Sequence, residues 1–306
     1  MTTLSVVTAD SDSPDLRNCS LSNEVTALEQ IRRMRGGSQS HLMRCSDQAY
    51  YVVKFQNNPQ HRRILINEFL GTKLAERLGL PAASTAIVNV SEQLIQLTDE
   101  LMMQYSREKV QCQPGLHFGS RYPGDPRRVA AFDFLPDPEL CRVTNLDDFA
   151  GMLVFDKWTC NTDGRQTVFV QDRSMSRGGL RQSALRPYRT VMIDQGFCFN
   201  AGEWDFPDAP LRGLYARSRA YTGVTGMDSF GPWLERLEQF TDLALAEIVG
   251  QMPIEWYEAD RNALSKLCER LLARRARVPD LIQEARRSNR QPFPNWPWNA
   301  VSTSNA

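Results

Sequence analysis

The chain has 306 residues, of which 42% are hydrophobic and 24% charged, and these globular proportions exclude wholesale disorder, a collagen-like fibre and a disulfide scaffold. Lys plus Arg and Asp plus Glu each number 36, so the formal net charge is zero, which disfavours a general nucleic-acid binder. No apolar run approaches the roughly 18–20 residues of a membrane span, and no cationic start precedes an apolar stretch as in a signal peptide. We therefore expect a cytoplasmic protein without a nucleic-acid or membrane partner.

The first third of the chain predicts strands around a central helix, after a polar leader at residues 1–23 that we expect to be disordered. The β-branched and aromatic run Tyr-Tyr-Val-Val, which begins at Tyr50, favours a pleated strand. Apolar residues recur at helical intervals from Ile64 to Leu78, and Gly79 and Pro81 then end the helix. The predicted strands are 25–34, 42–45, 50–55 and 84–90, and the predicted helices are 64–78 and 92–105.

Proline and glycine crowd residues 113–126, which favours a junction between a region at 24–115 and a second region at 116–287. Beyond the junction the pattern becomes mainly helical. Residues 288–306 form a tail in which three prolines within six positions forbid a helix, although its aromatic side chains could pin it onto the body. The predicted helices of the second region are 145–158, 230–250 and 258–275.

Three features of the first region could carry chemistry. Gly36 and Gly37 lie in a turn between two predicted strands, where backbone N–H groups could approach an anion, or where the chain makes an ordinary hairpin. Lys54 follows apolar residues on a predicted strand and either points inward, where it needs an anionic partner, or faces water at an edge. Glu68 on the next helix either pairs with Lys54 or is a solvated carboxylate.

Two aspartates of the second region are further candidates. Asp163 lies in the polar segment that follows a predicted helix. Asp194 ends the apolar run Val-Met-Ile, and Gly196 comes two residues later, so its carboxylate is expected at a strand end and open to a metal ion. Taken singly, each could be a solvated loop acid, and neither segment has the ligand spacing of a zinc site.

Taken in order, these features resemble the protein-kinase-like fold and, more closely, the HipA-like kinase family over about residues 25–275. The Ile-Asp-x-Gly segment is similar to the phosphoinositide kinases as well. The resemblance implies an α+β, two-lobed protein-kinase-like fold with a small antiparallel-sheet N-lobe, a mainly helical C-lobe and nucleotide bound between them. The motifs that carry it are Gly37-Ser-Gln-Ser, Val53-Lys54, Asn67-Glu68, Leu78-Gly-Leu-Pro81, Asn161-Thr-Asp-Gly164 and Ile193-Asp-Gln-Gly196.

The resemblance also implies ATP and Mg²⁺ as cofactors and a role for each matching residue. Lys54 would contact the phosphates and Glu68 would hold Lys54. Asp163 would be the catalytic acid or base, and Asp194 would bind Mg²⁺. The residues implied to cover the phosphates are Gly37, Ser38, Gln39 and Ser40, and residues 118–122 would lie near the adenine. The implied reaction transfers the γ-phosphoryl group to a hydroxyl of a protein serine or threonine.

Two positions depart from the family's pattern. The histidine expected two residues after Asp163 is Arg165, and the asparagine expected five residues after it is Val168. Valine cannot ligate a metal ion, whereas the amide oxygen of Gln166 or Asn161 could replace the missing ligand. Two alternatives to a protein kinase therefore stay open. One is a pseudokinase that binds nucleotide or a partner without catalysis, and the other is a small-molecule or lipid kinase.

Overall fold

The first half of the protein is built on a closed β-barrel. The computed structural model describes residues 24–171 and 187–296. The predicted leader at 1–23 and the last ten residues of the predicted tail lie outside the described residues. The strands are β1 Glu24–Arg33, β2 His41–Cys45, β3 Tyr50–Lys54, β4 Thr85–Val90, β5 Met102–Tyr105, β6 Glu108–Gln111, β7 Gly115–Arg121, β8 Ala131–Phe132, β9 Thr167–Gln171 and β10 Tyr188–Met192.

The barrel has the strand order β1-β2-β3-β7-β4 and closes where β1 pairs with β4 in parallel. The other four pairings are antiparallel, so the predicted antiparallel sheet is correct for them and wrong for the closing pair. A parallel partner leaves no local sequence signal, because the two strands are joined by a long crossover rather than a turn. Met43, Val53 and Val88 are fully buried in the hydrophobic cluster of this half.

The second half is mainly helical and contains a three-stranded antiparallel sheet of β8, β9 and β10. Helix α1 belongs to the first half in sequence but packs against both, which explains why 11 of its 14 residues are buried. The helices are α1 Ile64–Arg77, α2 Glu92–Gln96, α3 Asp148–Trp158, α4 Gly231–Glu238, α5 Asp242–Gly250, α6 Ile254–Tyr257, α7 Arg261–Arg274 and α8 Val278–Arg286.

Two predicted helices are wrong in part. The helix predicted at 92–105 ends at Gln96, and the later residues enter the β5–β6 hairpin, whose pairing buries Met103. The helix predicted at 230–250 is two helices, because the Thr241 side chain accepts a hydrogen bond from the backbone N–H of Ala244 at 3.2 Å and caps a new start. Among the described residues, no helix is both long and apolar enough to cross a bilayer.

The segment rich in proline and glycine contains a barrel strand. β7 spans 115–121 and pairs with both β3 and β4, so the boundary predicted at 115 falls at the start of a strand that belongs to the barrel. Pro114 precedes this strand and Pro123 and Gly124 follow it, whereas Gly115 and Gly119 are part of it. In the described part of the tail, the buried ring of Phe293 packs against Tyr221, Phe230 and Trp296, which confirms that aromatic residues pin that part to the body.

Candidate active site

A cavity of about 810 Å³ lies between the barrel and the sheet that carries β9 and β10. Lys54, at the end of β3, and Glu68, in the second turn of α1, line it from the first half. Asp194, two residues after the end of β10, lines it from the second half. Side chains separated by up to 140 positions in the sequence therefore meet in one cavity wall.

The Lys54 ammonium is held between two carboxylates. Its Nζ donates a hydrogen bond to Oε1 of Glu68 and a second one, of 2.9 Å, to Oδ1 of Asp194. The other carboxylate oxygen of Glu68 accepts the backbone N–H of Gln195 at 3.0 Å. Lys54 and Glu68 are 5% and 2% exposed, so this is a buried ion pair whose hydrogen-bonding capacity is largely used. The predicted contact between Lys54 and Glu68 is present.

The electrostatics of this group favour a charged Lys54 and an ionised Asp194. Burial alone would lower the pKa of Lys54, but the charges of Glu68 and Asp194 outweigh it and raise that pKa above its ordinary value. Burial would raise the pKa of Asp194, but the Lys54 ammonium holds it below the usual range. Burial raises the pKa of Glu68 against the opposing effect of Lys54. The raised pKa of Lys54 and the lowered pKa of Asp194 thus favour an ammonium beside an ionised carboxylate in the cavity wall.

The backbone of Asp194 is also unusual. Its φ is +58°, in the left-handed region that few residues other than glycine adopt. Aspartate tolerates this region better than most residues, because its short side chain can hydrogen-bond locally. The conformation turns the chain sharply at the end of the apolar strand, and the Asp194 carboxylate reaches the Lys54 ammonium.

Asp163 lies in the loop between α3 and β9. Its Oδ1 accepts the backbone N–H of Gly164 at 2.8 Å, and its Oδ2 accepts the side-chain amide of Gln166 at 2.8 Å. The described residues that line the cavity include Gln166 and Val168 but not Asp163. Asp163 is therefore one hydrogen bond away from a cavity residue, and its catalytic role stays a prediction.

Asn161 has both ends of its amide engaged inside the protein. Its Nδ2 donates to Asp156 at 2.9 Å, and its Oδ1 accepts the backbone N–H of Asp163 at 3.2 Å. It is 2% exposed and orients the Asp163 loop. Of the two amides predicted as replacement metal ligands, Gln166 lines the cavity, whereas Asn161 has its oxygen committed to the backbone.

Of the four residues of the glycine turn predicted to contact phosphates, two line the cavity and two do not. Ser38 and Ser40 are buried and line the cavity. The side chain of Gln39 instead exchanges hydrogen bonds of 2.8 and 2.7 Å with the backbone of Gln104, so it fastens the turn to β5. A Cβ placed on Gly37 would come within 3.2 Å of the Gln60 side chain, which places this glycine against the segment before α1. In the predicted adenine segment, the residues that line the cavity are Phe118, Ser120, Arg121 and Tyr122.

The donor set fits Mg²⁺ brought in with a nucleotide better than a resident metal ion. In the described ranges, no three His, Cys, Asp or Glu side chains converge as a metal cage. Asp194 supplies one carboxylate at the cavity, and Gln166 supplies an amide. Mg²⁺ is usually bound by one or two carboxylates together with substrate phosphates, so these two side chains suffice when phosphates complete the coordination.

Sequence reasoning missed two sets of residues. A buried ion pair joins Asp156 of α3 to Arg165, and the only sequence signal for it is that two charged residues, Asp156 and Lys157, interrupt an apolar helical segment. Four arginines also line the cavity, and no carboxylate among the described residues forms an ion pair with any of them. They are Arg32, Arg33, Arg35 and Arg121.

Comparison with solved structures returns chains of low sequence identity to this protein. The crystal structure of the Helicobacter pylori proinflammatory kinase CtkA is similar with a TM-score of 0.51 and 13% sequence identity, covering 86% of this chain and 97% of that chain. A Golgi casein kinase structure has a TM-score of 0.46 and 14% identity over 87% of this chain and 74% of that chain. HipA from Shewanella oneidensis MR-1, in a complex with HipB and operator DNA, has a TM-score of 0.46 and 14% identity over 85% and 68% of the two chains.

The protein thus has a protein-kinase-like fold with mixed helices and strands. The model of the HipA-like kinase family matches residues 28–174, which confirms the resemblance for the motifs within that range. A search of curated proteins returns no match. The matched range includes Lys54, Glu68 and the Asp163 loop, whereas Asp194 lies beyond it.

Proposed function

We propose that this protein is an ATP- and Mg²⁺-dependent phosphotransferase that transfers the γ-phosphoryl group to a hydroxyl, with a protein serine or threonine as acceptor. The observation that carries the proposal is the buried Lys54 ammonium held by Glu68 and Asp194 in the wall of an 810 Å³ cavity. A buried ammonium beside an opening is suited to neutralise phosphate oxygens, because phosphoryl transfer depends mainly on positioning and charge stabilisation.

The cavity supports a nucleotide in two further respects. Apolar side chains of Val52, Phe118 and Ile193 line it and could cover a purine ring, while the serines of the glycine turn could donate hydrogen bonds to phosphates. The four cavity arginines lack carboxylate partners among the described residues, and such a cluster favours a polyanionic ligand.

When Mg²⁺ is bound with the nucleotide, Asp194 and Gln166 would hold it, and the ion would neutralise charge on the phosphates. Asp194 is suited to this because its side chain remains 23% exposed although its Oδ1 accepts a hydrogen bond from Lys54. In this proposal Asp163 accepts the proton of the acceptor hydroxyl, and its hydrogen bonds to Gly164 and Gln166 fix the carboxylate for that purpose. The two halves of the molecule would act as the two lobes, with nucleotide between them.

A pseudokinase is the second candidate, and a specific observation favours it. Val168 lines the cavity where the family's pattern has an asparagine, so one amide ligand is replaced by an apolar side chain. Under this alternative the protein binds nucleotide through Lys54 and the arginines and performs no transfer.

One pair of variants tests the proposal. Wild-type protein should bind ATP more tightly with Mg²⁺ than without it and should consume ATP. Asp194→Asn keeps the shape of the side chain and the ion pair between Lys54 and Glu68, so it should remain folded and lose turnover. Asp208→Asn is the matched control, because Asp208 pairs with Arg274 and Arg277 and does not line the cavity.

The readouts are calorimetric ATP binding and ATP consumption with and without Mg²⁺. ATP binding that ignores Mg²⁺, together with no ATP consumption, would favour the pseudokinase. Full turnover in Asp194→Asn would contradict the assigned role of Asp194. Transfer of labelled phosphate to a serine- and threonine-containing peptide library, compared with phosphoinositide vesicles and free sugars, would decide the acceptor class.

A further inference from the structure

The strongest unassigned feature is the ion pair between Arg165 and Asp156. The guanidinium is bidentate: its Nε donates to Oδ2 of Asp156 at 2.9 Å, and its Nη2 donates to Oδ1 of the same carboxylate. Both side chains are completely buried. Removing two charges from water is costly, and replacing such a pair by apolar residues is often neutral or stabilising, so stability alone is a weak explanation for it.

The third guanidinium nitrogen of Arg165, Nη1, contacts the two residues that flank Asp194. It donates to Oε1 of Gln195 at 2.9 Å and to the backbone carbonyl of Ile193 at 3.3 Å. These two residues are the immediate neighbours of Asp194. One guanidinium therefore holds the chain on both sides of the carboxylate that lies against Lys54.

The same ion pair also reaches the loop of Asp163. The Asp156 carboxylate accepts Nδ2 of Asn161 at 2.9 Å, and Oδ1 of Asn161 accepts the backbone N–H of Asp163 at 3.2 Å. Asp156 is fixed to the rigid helix α3, whereas Asp163 and Arg165 lie in the loop that follows it. The position of the loop is thus defined by a helix-borne carboxylate.

A third connection runs to helix α1. The backbone N–H of Gln195 donates to Glu68 at 3.0 Å, and the Gln195 side chain packs so closely on α1 that a Cβ on Gly71 would lie 2.8 Å from it. The left-handed φ of Asp194 is a sparsely populated conformation that persists only where surrounding contacts determine it. The contacts of Gln195 and Ile193 with Arg165 are of this kind.

We infer that Arg165 is a positioning residue that fixes the Asp163 loop relative to the Asp194 segment, through its contacts with Asp156 and Gln195. It stands where the family's pattern has a histidine, and a guanidinium can bridge partners on two sides because it carries five donors in a fixed fork. The inference rests on the proposed phosphotransfer function, since the relative position of the Asp163 and Asp194 carboxylates matters for transfer and much less for binding a nucleotide.

The test compares Arg165→Gln and Arg165→Lys with Arg274→Gln. Arg274 is the matched control, because it is also a buried arginine of the second half, and it bonds the Lys157 carbonyl and Asp208 rather than either predicted acid. In Arg165→Gln, kcat should fall about 100-fold, a size typical of a roughly 1 Å misplacement of reacting groups, while KM and Kd for ATP change less than about threefold. The kcat of Arg165→Lys should lie between those of Arg165→Gln and wild type, because lysine keeps the positive charge and loses the bidentate geometry of the guanidinium.

A milder variant keeps the test decisive if Arg165→Gln does not fold. Gln195→Met leaves the ion pair with Asp156 intact and removes the acceptor beside Asp194, so it should lower kcat by about tenfold. The double variant Asp156→Asn/Arg165→Gln should be no less active than the poorer single variant, because both changes remove the same interaction.

Backbone amide hydrogen exchange provides a readout that does not depend on turnover. Exchange at residues 193–197 and 161–164 should accelerate in Arg165→Gln and stay unchanged there in Arg274→Gln. Two results would overturn the inference. One is an equal loss of kcat in Arg165→Gln and Arg274→Gln, and the other is an exchange rate at 193–197 and 161–164 that is the same in these two variants. If wild-type protein binds ATP without consuming it, the proposed function fails, and the exchange comparison still decides whether Arg165 positions the two segments.

Discussion

Two buried lysines in this protein have opposite electrostatic behaviour. Lys54 at the end of β3 is 5% exposed, and Lys157 near the end of α3 is 2% exposed. Lys54 lies between two carboxylates in a cavity wall, whereas Lys157 donates to the backbone carbonyls of Pro210, at 2.6 Å, and Arg212. The pKa of Lys54 is raised, and burial lowers the pKa of Lys157 to about 8.

The difference separates a lysine that serves a ligand from one that serves the fold. Carbonyl groups satisfy the donors of Lys157 and fasten the segment 210–212 to α3, but they do not offset the cost of burying its charge. Carboxylates keep Lys54 charged, and the cavity makes that charge accessible to an anion. Burial of a charged group therefore indicates function only together with its partners and the space beside it.

The largest expected effect follows from removing the Lys54 charge. Lys54→Met should lower ATP turnover by about 10²–10³-fold, the range measured when one preorganised electrostatic donor is removed from an active site. Glu68 then lacks its counter-charge and takes up a proton, so the variant should also lose stability. Turnover and thermal unfolding of Lys54→Met and Lys157→Met should be measured in parallel, because Lys157→Met is expected to lose stability and keep turnover. Equal turnover in the two variants would remove the distinction between them.

A second effect concerns the pH dependence of stability. Because burial lowers the pKa of Lys157 to about 8 in the folded protein while the unfolded value is 10.5, the folded state releases this proton first as the pH rises. Stability contributed by Lys157 should therefore increase by about 2 kcal/mol between pH 8 and pH 10. The raised pKa of Lys54 acts in the opposite sense, with stability lost only above pH 10.5 as the pH approaches its folded-state pKa.

Denaturant unfolding of wild type and Lys157→Met at pH 8, 9 and 10 measures this difference, since groups common to both proteins cancel. The free energy of unfolding of wild type relative to the variant should rise with pH. Parallel curves for the two proteins would contradict the lowered pKa of Lys157.

The smallest expected effect is on ATP affinity, when one exposed arginine of the same cavity is removed. Arg32→Ala should weaken ATP binding by about three- to fivefold, because an exposed ionic contact is worth up to about 1 kcal/mol and is screened by salt. Calorimetric titration at low salt and again at 0.5 M salt checks this, with the gap expected to close at high salt. Arg107→Ala is the control, because Arg107 is exposed in the turn between β5 and β6 and does not line the cavity. An unchanged dissociation constant for Arg32→Ala at low salt would place Arg32 outside the binding surface.

The sequence predicted the central members of the site because each has a local signal. Lys54 ends a strand of aromatic and β-branched residues, Glu68 lies on a helix with clear periodicity, and Asp194 ends an apolar run. They are separated by up to 140 positions, and the ordered motifs of the HipA-like resemblance predicted that they converge around one nucleotide, whereas the direct contact between Lys54 and Asp194 was not predicted. Arg165 was not predicted as a positioning residue, because its partners Asp156 and Gln195 come from elements that carry no mark of their proximity.

Local patterns settled the type of most elements, since helical spacing and β-branched runs report on the chain within a few residues. The tertiary structure alone decided that β1 closes a barrel in parallel with β4, that residues 102–105 form a strand and that the oxygen of Asn161 is used by the backbone of Asp163. Each of these depends on groups distant in sequence that compete for the same hydrogen bonds and the same buried space. Such competition is resolved only when the whole chain is folded.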